Sequence, residues 1–308
     1  MSSISIPFLK ASACGNDFLL VEAEAAAAQL NELARQVTAP GRKVEDVYAD
    51  LTRRMCERHE GVGADGVEWL SSDPDADVRA RLINADGSPA EISGNGTRCV
   101  AAYMVSRKGG GRITVRTDAG VKTCILTGRD GHRYEFETAM GSPEVGDAFS
   151  IRLAFGEITG VPVSMGNPHF VIFVDQFAPG WQAEAAEIGR HHDFKHGINV
   201  ELVRIDNRHA ISALFFERGA GETQSSGTGS CASVVASIVM GKVESPVEVH
   251  TAGGLQVVRW ERLSEEPGQE GREHPAQPAS VASPRVGEGE VYLRGSATIL
   301  CQGEFFVG

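Results

Sequence analysis

Ser93-Gly94-Asn95-Gly96-Thr97-Arg98-Cys99 and, in the second half of the chain, Ser226-Gly227-Thr228-Gly229-Ser230-Cys231 are two versions of one phrase. Turn-rich polar sequence precedes each: Asn84-Ala85-Asp86-Gly87-Ser88 before the first, Glu217-Arg218-Gly219-Ala220-Gly221-Glu222-Thr223 before the second. Small-residue helical sequence follows each, Val100-Ala101-Ala102-Tyr103-Met104 and Ala232-Ser233-Val234-Val235-Ala236. The simplest account is two related halves, each with a Gly-rich turn opening a buried helix. A serine before glycine is also a favoured helix cap, and that alone would explain either copy taken singly. Two copies in parallel contexts point further. A helix N-terminus exposes free N–H groups and partial positive charge, so it binds anions. Two such ends facing one another would hold one carboxylate and stabilise the negative charge that builds up when an α-proton is removed. Racemisation needs an acid and a base on opposite faces of that carbon, and Ser93 and Ser226 stand where such groups would project. Neither copy continues as Gly-x-Gly-x-x-Gly, which argues against a dinucleotide site.

The remaining sequence suits this picture. With 308 residues, 42% hydrophobic and 23% charged, two soluble domains are expected. No run of about eighteen apolar residues occurs, and Met1–Pro7 lacks signal-peptide character, so a cytoplasmic protein is expected. A net charge of −12 argues against nucleic acid or an anionic membrane as partner. Six scattered cysteines, without Cys-x-x-Cys, read as reduced thiols. Period-two patches at 112–117 and 255–260, with Val291-Tyr292-Leu293, predict strands. Residues 22–36, 51–58 and 181–188 predict helices. The fold class is α+β, with mostly antiparallel strands. Residues 264–289, rich in Pro, Gly, Glu and Ser, read as a mobile loop inserted in a hairpin.

Further motifs complete a family pattern. Phe8-Leu9-Lys10 with Gly15-Asn16-Asp17-Phe18, Arg58-His59-Glu60-Gly61-Val62-Gly63-Ala64-Asp65-Gly66, Met165-Gly166-Asn167-Pro168-His169 and Asn199-Val200-Glu201 join the two loops in order. Together they resemble the diaminopimelate epimerases over the whole chain except 264–289. The resemblance implies two pseudo-symmetric domains, each a barrel-like sheet around a central helix, with the site in the cleft. The expected boundaries are 1–129 plus 298–308 for one domain and 130–297 for the other. The implied activity converts LL- to meso-2,6-diaminopimelate by two-base proton transfer, serving lysine and peptidoglycan precursor synthesis. No pyridoxal phosphate, other cofactor or metal is implied, and a homodimer is.

Carried over by motif, Asn16, Asn84, Asn167, Asn199 and Arg218 would hold the distal end of the substrate, and Glu217 its amino group. Arg218 fits chemically, since a planar guanidinium grips a carboxylate bidentately. Gly94, Asn95, Gly227 and Thr228 would present backbone donors to the reacting carboxylate, and His169 would stand beside the family's thiols. Those two catalytic thiols fall at Ser93 and Ser226. A cysteine can be tuned to a thiolate near neutral pH; a serine hydroxyl needs a dedicated base. Three readings follow: an epimerase whose thiols were replaced to trap substrate; a related isomerase, dehydratase or other amino-acid racemase of the same fold; and a diaminopimelate-binding homologue without turnover.

Overall fold

The structure, a computed structural model, describes residues 4–27, 44–154, 156–262, 285–286 and 289–307. It divides into two compact units, Met1–Thr138 with Arg294–Gly308, and Ala139–Leu293.

The first unit comprises β1 (Ile4–Ala13), β2 (Asn16–Glu22), α1 (Val44–Cys56), β3 (Gly66–Ser71), β4 (Val78–Asn84), β5 (Pro89–Ala90), α2 (Gly94–Lys108), β6 (Arg112–Thr117), β7 (Gly120–Asp130) and most of β8 (Arg133–Gly141). The second holds β9 (Glu144–Val145), β10 (Phe149–Leu153), β11 (Gly156–Ser164), β12 (Pro168–Phe173), α3 (Trp181–Gly189), β13 (Asn199–Asn207), β14 (Ala210–Glu217), β15 (Gly221–Thr223), α4 (Gly227–Val239), β16 (Val247–Thr251), β17 (Gly254–Glu261) and β18 (Arg285–Val286). The long β19 (Glu290–Val307) begins in the second unit and ends in the first.

In the first unit the ladder runs β19–β1–β2–β3–β4–β6–β7–β8 and closes through β8–β19 into an eight-stranded barrel. Its pairs are antiparallel except β2–β3 and β4–β6. The second unit repeats the sequence of pairings: β11–β12 antiparallel, β12–β13 parallel, β13–β14 antiparallel, β14–β16 parallel, β16–β17 antiparallel. A helix joins the first parallel pair in each unit (α1, α3), and the Gly-rich turn and its helix lie within the connection that spans the second (α2, α4). The repeat of two short phrases is thus a repeat of whole topology.

α2 and α4 are the centres of the two units. Cys99–Val105 and Cys231–Ala236 are buried all round, as a helix enclosed by sheet must be. Ala101, Ala102, Ala232 and Ala236 keep the helices slim enough for strands on every side, and Tyr134, Phe136, Ile211 and Phe215 fill the space between. A second layer covers the outer sheet faces, with α1 packing Leu51 and Met55 near Trp69, and α3 packing Trp181 and Ile188 near Phe170.

Several expectations change in detail. The two compact units meet at 138/139, inside β8, and at 293/294, inside β19. Of the helix expected over 22–36, Glu22 ends β2 and residues 23–26 are turns, while 28–43 lie outside the described residues. The insertion expected over 264–289 also falls largely outside them. Its Arg285 and Val286, however, pair with Val145 and Glu144 as strand.

Gly96 and Gly229 mark where each sheet presses closest on its helix. A Cβ on Gly96 would overlap Glu68 Oε1, and one on Gly229 would lie 2.8 Å from Phe215 Cδ1 and 2.9 Å from Glu201 Oε1. Gly96→Ala and Gly229→Ala should therefore each lower unfolding free energy by about 1–3 kcal/mol in urea titrations. Gly111→Ala, with nothing within 4 Å of its Cβ, is the matched control and should change little.

Candidate active site

Each half-site starts at a serine. Ser93 is extended (φ −124°, ψ 121°) and its Oγ accepts the Gly96 N–H at 3.0 Å. Ser226 repeats this (φ −133°, ψ 128°), accepting from Gly229 at 3.1 Å. The plain helix-cap reading and the site reading therefore describe one geometry. The cap orients the serine and leaves the N–H groups of Gly94, Asn95, Gly227 and Thr228, the first of each helix, as donors for an anion.

In the first unit the buried Arg98 organises the turn. Its Nη2 donates to Asn95 Oδ1 and lies 3.7 Å from Cys14 Sγ. Asn95 Nδ2 donates to Asn16 Oδ1 at 2.6 Å, and Asn16 Nδ2 to Asp65 Oδ2 at 3.1 Å. Arg58 bonds Asp65 and Asp17, and Lys10 bonds Asp17 at 2.9 Å. Burial alone would raise the Asp17 carboxyl, but Arg58 and Lys10 outweigh it and hold it below its ordinary value. Ser93, Gly94, Asn95 and Asn16 are thus drawn into one network. Asn84 ends β4 outside it and donates to Ser88 Oγ at 3.1 Å.

In the second unit the expected residues fall into small hydrogen-bonded groups. Asn167 Nδ2 faces Thr228 Oγ1 at 3.3 Å, which turns Asn167 Oδ1 towards His169 Nε2 at 2.9 Å. That oxygen can only accept, so Nε2 carries a proton. His169 Nδ1 meets Glu201 Oε1 at 2.6 Å, with both side chains fully buried. Burial holds Glu201 above the carboxylate range while His169 pulls the other way, and Oε2 has no partner. An unbonded oxygen in a dry core is part of why burial raises this carboxyl. Asn199 Oδ1 accepts the Arg218 N–H at 2.9 Å. Burial also raises the Glu217 carboxyl, against a hydrogen bond from Ser226 and the charge of His169. The Ser226 hydroxyl thus donates to Glu217 while accepting from Gly229. Among the described residues, no carboxylate bonds Ser93.

Arg218 reaches out to the His196 carbonyl at 2.9 Å. It lines a cavity of about 540 Å³ with Glu217, Lys195, His196, Phe194 and Phe216.

Three buried groups escaped the sequence reading: Glu68, Arg98 and Glu201. Their signal was present, because Glu68 and Glu201 are single acids within apolar strand segments, Val67-Glu68-Trp69-Leu70 and Val200-Glu201-Leu202-Val203. Cys99 and Cys231 lie wholly inside their helices, and burial pushes the Cys99 thiol up, so neither substitutes for Ser93 or Ser226.

Solved structures share this two-unit fold. One is a hydroxyproline epimerase from Agrobacterium vitis, with a TM-score of 0.65 and 17% identity, covering 99% of this chain and 92% of that one. Another is a phenazine biosynthesis protein of the PhzF family from Bacillus anthracis, with a TM-score of 0.66 and 14% identity, covering 97% and 98%. At these identities the likeness is one of fold, and the class is that of the two-unit epimerase and isomerase folds. The diaminopimelate epimerase family model matches residues 8–145 and 161–271, and the chain belongs to that family. Curated relatives named diaminopimelate epimerase include that of Pelotomaculum thermopropionicum, 37% identical over 82% of this chain and 91% of its own. That of Teredinibacter turnerae is 33% identical with the same coverage.

The Glu201–His169 contact can be tested alone. Glu201→Ala leaves a ring nitrogen unpaired in a dry core and should cost about 1–3 kcal/mol of unfolding free energy. Glu201→Gln keeps one bond and should cost clearly less in the same urea titration.

Proposed function

We propose that this chain binds 2,6-diaminopimelate and is built to interconvert its LL and meso isomers by cofactor-independent proton transfer at the α-carbon, in lysine and peptidoglycan precursor synthesis. The observation that carries this reading is the pair of serine-capped Gly-x-Gly helix starts, one per unit, within a chain of the epimerase family. In the reading, Gly94, Asn95, Gly227 and Thr228 present backbone donors to the reacting carboxylate. Asn16, Asn84, Asn167, Asn199 and Arg218 hold the distal end, and Glu217 the amino group. The cationic wall of Arg218 and Lys195 suits a distal carboxylate.

Ser93 and Ser226 act at the two faces of the α-carbon, where the family has thiols. Each acid–base partner is worth about 10²–10⁴ in rate, so two hydroxyls make a slow enzyme. The faces are unequal, because Glu217 gives Ser226 an acceptor for its proton. That inequality favours a second reading, a related isomerase or dehydratase that needs strong acid–base chemistry on one face. Six cysteines, none of them in a disulfide and five of them buried, support a reducing cytoplasmic setting, and the family resemblance supports a homodimer.

Titration calorimetry should show LL- or meso-diaminopimelate binding without added cofactor. Arg218→Ala should weaken it by roughly 2 kcal/mol, through loss of a charge-assisted pair. Binding of lysine but not diaminopimelate would defeat the substrate assignment.

A further inference from the structure

Glu68 is a buried acid that the proposed proton transfer does not use. It sits on β3, 3% exposed, with its Oε1 against Gly96 in the first turn of α2. Register shows what it corresponds to. Glu68 pairs with Leu20 of β2, two places beyond the Phe18–Gly66 pair. Glu201 pairs with Val171 of β12, two places beyond the His169–Asn199 pair. Both acids lean on the second glycine of their unit's Gly-x-Gly turn. In the second unit the imidazole of His169 partners the acid at 2.6 Å. In the first, Phe18 occupies the imidazole's register position and offers nothing polar.

We propose that Glu68 is a positioning residue for the first half-site, whose protonation state sets how strongly the N-terminus of α2 holds a carboxylate. In the acid form it adds no charge, and the positive end of α2 acts undiminished on a bound anion. Once ionised, it places a negative charge against the first turn and competes with the substrate carboxylate for the same field. Burial alone pushes its carboxyl up to about 8, so the change falls just above neutrality. The sign is fixed by that direction: anion affinity is full below about pH 8 and falls as the pH rises through it. By reciprocity, a bound carboxylate makes Glu68 harder to ionise, so binding near pH 8 draws in a proton.

The titratable and charged groups facing this carboxyl are few. Among the described residues, α2 presents Arg98 and Cys99, the β1–β2 turn presents Cys14, and β2 presents Asp17, which Arg58 and Lys10 hold as a carboxylate. On β4 the facing residues, Leu82 and Ala80, are apolar. Arg98 is committed to Asn95, and burial lifts the Cys99 thiol far out of range. Glu68 is therefore the group that switches.

This inference rests on the diaminopimelate reading. The test is calorimetric titration of the unaltered chain and Glu68→Gln with meso-diaminopimelate from about pH 6.5 to 9, in buffers of differing ionisation enthalpy. Affinity of the unaltered chain should fall by roughly tenfold more than that of Glu68→Gln over this range. Near pH 8 it should take up a fraction of a proton that the variant does not. Titration of the ligand's own amines and of Glu217 is common to both proteins and cancels. Identical pH profiles and proton uptake would overturn the role of Glu68 while leaving the substrate reading intact. Absence of binding by either protein at any pH would defeat the substrate reading and this inference with it. If Glu68→Gln does not fold, proton uptake by the unaltered chain decides: binding near pH 8 with no uptake overturns the proposal.

Discussion

A helix that starts inside a sheet must find partners for its first N–H groups away from bulk water, and both units are arranged around that demand. Serine satisfies one N–H from outside the helix, and glycine at the third helical position lets the sheet close to contact distance. What is left over is a short row of donors at the positive end of a helix dipole. A carboxylate fits that row by geometry and by charge. The slim alanine-rich helices, the sheets wrapped around them and the buried acids of β3 and β13 are consequences of putting such an end in the middle of each unit.

From this shared scaffold the two half-sites diverge. The second is a polar network in which Thr228, Asn167, His169 and Glu201 form one line, while Glu217 meets the hydroxyl of Ser226. The first has Phe18 and Asn84 at the register positions of His169 and Glu217, and it relies on Arg98 to hold Asn95 and Asn16. Duplication accounts for the common topology, and single side-chain changes in a common register account for the different chemistry.

Much of this was legible in the sequence because it is local. Gly-x-Gly after serine states its own cap geometry, and two copies in matching contexts state the duplication. Strands at 112–117 and 255–260 follow from alternation. Register is not local, and that is where reading stopped. Nothing near Glu68 in sequence tells that it leans on Gly96, and only parallel pairing of β12 with β13 brings Glu201 to His169. Only the enclosing sheet shows that Arg98 is buried, with Gly295 leaving room for its guanidinium.

The central claim is that this is an epimerase frame in which two hydroxyls stand where the chemistry needs thiols. Exchange of the α-proton of diaminopimelate with deuterated water, followed by NMR, measures it directly. The unaltered chain should exchange very slowly, and the pair Ser93→Cys and Ser226→Cys should accelerate both exchange and LL-to-meso conversion by several powers of ten. Rapid conversion by the unaltered chain, or a double variant no faster than its parent, would contradict the account.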